Sequence, residues 1–292
     1  LNLKELLEDG IYKVIEKEKT SQIGALSGSN ALLYDGENFL AENNDHCPRV
    51  ALLRRVGGIE APRSVKNFLS NKHGRKFEDL LRDILGVDKD ISSIEEEEAE
   101  VVLKDEQGNT ILTARPDKIL NYQGKTYAVE VKTVQSNHNA HQIFIKEKPK
   151  LGALTQLAIY MYGHQITEGF LLYAITTWHS GFAGKGNKWT IEPTLKVFEV
   201  TEKEDGYFYY NNKKSIVAID KILQGAHVFL YHKQNNTIPP VPNWVDIEGN
   251  FITFTGCTYC PFKNVCENAH YMNLEQFISA AKEELRDADN KG

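Results

Sequence analysis

The sequence predicts an α/β protein in which one mixed central sheet is flanked by helices, and three observations predict it. Apolar positions Phe77, Leu80, Leu81, Ile84 and Leu85 recur at helical spacing over residues 71–85. From Glu98 to Val134 the period changes to that of strands, broken by turn residues at 107–109 and 122–124. A second helical stretch, 150–162, then leads into a buried-looking strand at 170–176. Helix, antiparallel strands, helix and strand in that order describe layers packed on a single sheet.

Ahead of this core, Leu3, Leu6, Leu7, Ile11, Val14 and Ile15 mark an opening amphipathic helix over residues 3–18. A polar loop through Asn43, Asn44 and Asp45 reaches Cys47-Pro48-Arg49, where proline suits the first turn of a helix running to Arg55. The helix over 71–85 carries Glu78 at its middle and stops at Gly86. Strands follow at 101–103, 111–114, 117–120 and 127–134. Beyond the strand at 170–176, residues 189–200 supply another strand and 206–231 read as one long helix. The proline-rich stretch 238–242 is a loop, and 274–285 is a last helix. The expected division is a helical N-terminal segment with the first cysteine at 1–70, a core at 71–235, and a C-terminal cysteine segment with the terminal helix at 236–292.

A hydrophobic content of 41% over 292 residues is enough to bury a sizeable core. No apolar run approaches the ~18 residues of a membrane span, and Leu1-Asn2-Leu3-Lys4-Glu5 lacks the basic-then-apolar layout of a secretion signal. The expectation is a soluble, cytoplasmic protein with no membrane partner. A net charge of −6 excludes a protein that coats nucleic acid by bulk attraction, because non-specific phosphate binding scales with the cations presented. Binding of that kind would rest on local clusters: Arg49, Arg54, Arg55, Arg63, Lys66, Lys72, Arg75 and Lys76, and again Lys146, Lys148 and Lys150.

The most informative stretch is Arg115-Pro116-Asp117 followed by the strand Ala128-Val129-Glu130-Val131-Lys132. Residues two apart in a strand share a face, so Glu130 and Lys132 point one way and Val129 and Val131 the other. A hairpin sets Asp117 beside them. Two carboxylates converging on an apolar sheet repel each other unless a divalent cation sits between them, and hard oxygen ligands suit Mg²⁺ or Mn²⁺. A lysine on that face positions a water or offsets phosphate charge, which completes a kit for metal-assisted phosphodiester hydrolysis. Glu-x-Lys alone is common in surface hairpins. Pro-Asp at this distance is what sets the stretch apart.

Pro116-Asp117, Glu130 and Lys132 resemble the signature of the PD-(D/E)XK nuclease superfamily, whose restriction-endonuclease-like core begins with a helix carrying a further acidic or histidine ligand. Gly74-Arg75-Lys76-Phe77-Glu78 looks like that element. The resemblance implies that Glu78, Asp117, Glu130 and Lys132 are catalytic, with the metal held by Glu78, Asp117, Glu130 and the backbone carbonyl of Val131. Many members of the RecB-like branch have histidine here, so His73 stays open as an alternative to Glu78. Gln156 and Tyr160 stand at i and i+4 on one helix face. They resemble the Gln-x-x-x-Tyr motif of RecB-type nucleases, which implies contact with the nucleic-acid strand. An aromatic stacking surface at Tyr160 would favour single-stranded DNA, and threading of free ends would favour exonuclease action.

All four cysteines fall into one pattern, Cys47 and then Cys257-x2-Cys260-x5-Cys266. Four thiolates make a closed set for Zn²⁺ or an iron-sulfur cluster, and spacing alone does not choose between them. One cysteine before the core and three after it resemble the iron-sulfur staple of RecB-like nucleases. Bearers include AddAB-type helicase-nucleases, the eukaryotic replication helicase-nuclease and the small RecB-like nucleases of CRISPR adaptation. The resemblance, carried from Cys47 to Cys266, implies a structural 4Fe-4S cluster on Cys47, Cys257, Cys260 and Cys266 that joins the N- and C-terminal segments. Gly124-Lys125-Thr126 looks like the end of a phosphate loop, but no glycine precedes it at the required distance and a hairpin turn explains it.

Two functions compete. One is a Mg²⁺- or Mn²⁺-dependent deoxyribonuclease that prefers single strands and works from an end. The other is a DNA-end-binding or processing subunit, working with protein partners in a CRISPR adaptation or recombination complex, with little catalysis of its own. The carboxylate set favours the first, because a pure binding module gains nothing from groups that repel phosphate. A plain zinc-binding structural protein would require that set to be accidental.

Overall fold

The computed structural model describes residues 25–59, 72, 76, 79–80, 91–93, 100–134, 137–175, 179–183, 187–191, 195–253 and 256–289. The opening helix expected at 3–18 lies outside them, and the helix expected at 71–85 lies mostly outside, although Lys72, Lys76, Asp79 and Leu80 are helical. No helix among the described residues is long and apolar enough to cross a membrane.

The described residues open with three short strands, β1 (Leu26–Ser27), β2 (Leu33–Tyr34) and β3 (Phe39–Ala41). Helix α1 (Pro48–Arg55) begins on Pro48 as expected, since proline's missing N–H costs nothing in a first turn. Strands β4 (Ile91–Ser93), β5 (Val101–Lys104), β6 (Thr110–Ala114), β7 (Lys118–Tyr122) and β8 (Lys125–Val134) follow. Helix α2 (Leu151–Gly163) and strand β9 (Glu168–Ile175) come next, then a hairpin of β10 (His179–Ala183) and β11 (Asn187–Ile191). The remainder is β12 (Leu195–Glu202), β13 (Tyr207–Tyr210), β14 (Lys213–Ala218), α3 (Ile219–Gln234), β15 (Asn243–Trp244), α4 (Lys263–Glu267) and α5 (Leu274–Asp289). A reciprocal pair of bonds caps α5: Asn273 N donates to Gln276 Oε1, and Gln276 N donates to Asn273 Oδ1, each at 2.9 Å.

Two expectations are corrected. Residues 206–231 are not one helix; β13 and β14 form a hairpin, and α3 starts only at Ile219. Asn211 and Asn212 make the two-residue turn with φ of 44° and 64°, a geometry that asparagine tolerates better than most residues. Residues 189–200 are not one strand either: β11 pairs with β10 in one sheet, whereas β12 pairs with β9 and β13 in another.

Among the described residues, seven strands in the order β14-β13-β12-β9-β8-β7-β4 form the main sheet, in which β8 and β9 are the only parallel neighbours. Parallel neighbours need a crossover, which α2 supplies. Helix α2 packs on the face that carries Ala128, Leu171, Tyr173 and Phe198, and buries Leu154, Leu157 and Ile159 there. On the opposite face Leu120, Val129 and Val131 group with Phe170 and Leu172. Beside the main sheet, β15 pairs parallel with β3 and brings residues 40–41 against residues 243–244. A second apolar cluster lies there, where Val50 and Leu53 of α1 meet Trp244, Phe262 and Phe277.

Candidate active site

The β7–β8 hairpin sets the geometry of the site. Its turn, Gln123-Gly124, has φ of 49° and 77°, and the register pairs Lys118 with Val129. Extending that register by one residue brings Asp117 opposite Glu130. Asp117 Oδ2 accepts the Val131 N–H at 2.7 Å, which orients the carboxylate at the mouth of the hairpin. Val129 and Val131 face the opposite apolar cluster, so the alternation expected from a period of two holds.

Glu130 is 0% exposed. Its Oε1 receives the Lys132 ammonium, whereas its Oε2 is buried with no hydrogen-bond partner. Burial pushes its pKa up to about 8, with the Asp117 charge adding to the rise and the Lys132 ammonium opposing it. A buried carboxylate oxygen left without a donor is costly and calls for a cation. The donor set is hard oxygen, which fits Mg²⁺ or Mn²⁺.

Tyr160 and Gln156 sit on the α2 face beside these carboxylates. Gln156 Nε2 donates to the Tyr160 hydroxyl. Burial raises the Tyr160 pKa, and the Glu130 and Asp117 charges raise it further, so the phenol stays protonated. Tyr160 is 0% exposed, which corrects the expectation of a stacking platform: no ring face is open to a base. Glu78 and the alternative His73 lie outside the described residues. Among the described residues no three His, Cys, Asp or Glu side chains gather closely enough to hold one metal ion.

Several residues that the sequence reading passed over hold this arrangement in place. Glu42 accepts the Leu151 N–H at 2.8 Å and the Lys150 ammonium at 3.1 Å, capping the positive end of α2. The Tyr173 hydroxyl accepts the Lys150 N–H at 3.0 Å. The His46 ring is buried; its Nδ1 lies 3.1 Å from Asn43 Oδ1, and its Nε2 has no hydrogen-bond partner. Burial lowers the His46 pKa. The ring lies against Gly152, where an added Cβ would come within 2.0 Å of it. Glu42 and His46 sit in a stretch that reads as a polar loop, and the one local signal was a glycine in the first turn of an otherwise apolar helix.

The four cysteines are free thiols lining one cavity of about 260 Å³. Burial pushes the Cys47 thiol up to about 12 and the Cys266 thiol up to about 11. Arg49 braces the cavity, donating to Pro239 O and Cys266 O at 2.9 Å each. Among the described residues, several members of the expected basic clusters are committed to internal partners. Arg54 pairs with Asp45 at 3.0 Å, Lys148 with Asp246 and Glu248 at 3.0 and 2.6 Å, and Lys150 with Glu42.

The described residues form an α/β arrangement in which a mixed sheet has a parallel pair carrying the buried Glu130, with Asp117 opposite it. The family model of the PD-(D/E)XK nuclease superfamily matches residues 34–267, most of the sequence, and the chain belongs to that superfamily. Among solved structures, the chain is similar to SSO0001 at 15% identity, covering 91% of this chain and 97% of that one, with a TM-score of 0.47. It is also similar to an alkaline exonuclease, LHK-Exo, from Laribacter hongkongensis, at 12% identity over 75% of this chain and 93% of that one, with a TM-score of 0.44. The same exonuclease in complex with dAMP gives 14% identity, the same coverage and a TM-score of 0.43. No curated protein matches the sequence.

Proposed function

We propose that this chain is a Mg²⁺- or Mn²⁺-dependent deoxyribonuclease that hydrolyses phosphodiester bonds at Asp117, Glu130 and Lys132. The observation that carries the proposal is the fully buried Glu130, with one oxygen lacking a donor, held opposite Asp117 on the same sheet. Asp117, Glu130, the Val131 carbonyl and Glu78 are the proposed holders of the cation. When bound, such a cation polarises the phosphoryl oxygen and acidifies the attacking water. The Val131 N–H fixes one oxygen of Asp117, and Tyr160 and Gln156 fill the space behind Glu130 and keep water from it. Lys132, released from Glu130, holds the attacking water or the phosphate.

Purified protein should cleave DNA only with a divalent metal, and Asp117→Asn should lower the rate at least about 100-fold while DNA binding stays measurable. Asparagine keeps an acceptor for the Val131 N–H, so the fold survives the test. Unchanged cleavage by this variant would sink the proposal and leave the reading as a DNA-end-binding subunit.

A 4Fe-4S cluster on Cys47, Cys257, Cys260 and Cys266 belongs to the same proposal. Its support is the shared cavity together with the spacing. Action on single strands from a free end now rests on the sequence resemblance alone, because the Tyr160 ring is buried. Linear strands cut faster than circles of the same sequence would support it, and equal rates would refute it.

A further inference from the structure

The four thiols share their largely apolar cavity with few charged groups. Its other lining residues are Asn44, Arg49, Val241, Lys263 and Glu267. Lys263 and Glu267 lie 3.7 Å apart and offset each other's charge. Arg49 is placed differently: its Nε donates to Pro239 O and its Nη1 to Cys266 O, each at 2.9 Å, and no carboxylate pairs with it among the described residues. Backbone carbonyls hold a guanidinium without cancelling its charge, so this wall keeps a positive charge beside Cys266.

The sulfur atoms are also met by donors. Burial raises the Cys266 thiol to about 11, and the Arg49 guanidinium hydrogen-bonded to it acts the other way. Burial likewise raises Cys47 to about 12, against the N–H groups of Val50 and Arg49 at the start of α1, and raises Cys260 against the N–H of Phe262. A donor aimed at sulfur favours the thiolate over the thiol. Thiols alone would leave the half-buried Arg49 a cation without an anion, which is unfavourable. Four thiolates around Zn²⁺, or around a 4Fe-4S core of charge 2+, carry a net charge of about −2. In a cavity of this kind such charge needs a cation close by.

We propose that Arg49 is the counter-charge of a four-thiolate centre on Cys47, Cys257, Cys260 and Cys266, a further cofactor-binding residue that keeps the centre from losing its metal. The proposal rests on the cysteine reading above and holds for iron and zinc alike.

The test measures metal loss. The full chain, purified anaerobically, is mixed with an excess of a chromogenic chelator, and release of iron or zinc is followed in the unaltered protein and in Arg49→Gln, Arg49→Lys and Lys263→Gln. Arg49→Gln should release metal about ten-fold faster, the size of one charge-assisted hydrogen bond. Arg49→Lys keeps the charge but not the fork that holds both carbonyls, so it should stay within about two-fold of the unaltered protein. Lys263→Gln, whose charge Glu267 already offsets, should change little, and an effect as large as that of Arg49→Gln would overturn the assignment. Equal release from Arg49→Gln and the unaltered protein would overturn the counter-charge while leaving the four-thiolate centre intact. Release as fast from Arg49→Lys as from Arg49→Gln would overturn it too, because a purely structural brace is lost in both. Should Arg49→Gln fail to fold, Arg49→Lys decides against the unaltered protein: a matching rate supports the counter-charge, and a rate about ten-fold faster overturns it. Unaltered protein free of metal would overturn the centre and the counter-charge together.

Discussion

At the scale of single residues, the proposed role of Glu130 as a metal holder would tie folding to the cation. Its pKa is raised from 4.5 to about 8, so over that window the folded chain keeps a proton that the unfolded chain has lost. A group of this kind lowers stability as pH rises from 4.5 to 8, by up to on the order of 5 kcal/mol, and nothing further is lost above 8. A divalent cation takes the ionised form and reverses the loss. Thermal melts of metal-free protein should therefore fall between pH 6 and pH 8.5, and the gain on adding Mg²⁺ or Mn²⁺ should be larger at pH 8.5. Equal metal-induced shifts at the two values would show that Glu130 does not hold the ion. The pairing of Glu130 with Lys132 was legible from alternation in one strand, and Asp117 from a hairpin turn. The burial of Tyr160 was legible too, had the whole helix been weighed: Leu151, Leu154, Leu157, Ala158, Ile159 and Met161 surround it with apolar positions, and a helix apolar on most sides is buried on most sides.

Among elements, the position of α2 decides how the carboxylates are backed. Its first turn is held by Glu42 and by the contact of Gly152 with the His46 ring. Gly152→Ala would push a methyl into that ring and should destabilise the protein by about 1–3 kcal/mol, with chemical denaturation as the measure. Pairing it with His46→Ala should recover most of the loss, and additive losses in the double variant would refute the contact as the cause. Sequence periodicity located α1, α2, β5 to β9 and α5, because each buries one regular stripe or face. It missed the β13–β14 hairpin, since Tyr207-Phe208-Tyr209-Tyr210 and the apolar start of α3 together mimic a helical stripe, and the Asn211-Asn212 turn was the stronger signal. Glu42 and His46 were invisible because their contacts with the start of α2 join distant segments, and no local period encodes that.

For the molecule as a whole, the cysteine cavity joins α1 to the segment before α5. Burial holds the Cys47 and Cys266 thiols well above their ordinary range, so loading the proposed cluster would release protons. Anaerobically purified protein should be brown with about four irons per chain, and Cys257→Ala or Cys260→Ala should lose colour and solubility together. Stoichiometric zinc without iron would refute the cluster. The β3–β15 pairing has a consequence for how the chain is born. Ala41 finds its partner Trp244 only after the intervening chain has been made, an interval of about 10–40 s for roughly 200 residues at ribosomal speed. Through that interval the emerging chain presents an unpaired β3 edge, a bare Cys47 thiol and the apolar side of α1 to its surroundings. Nascent copies on one message are then exposed to mispairing with each other.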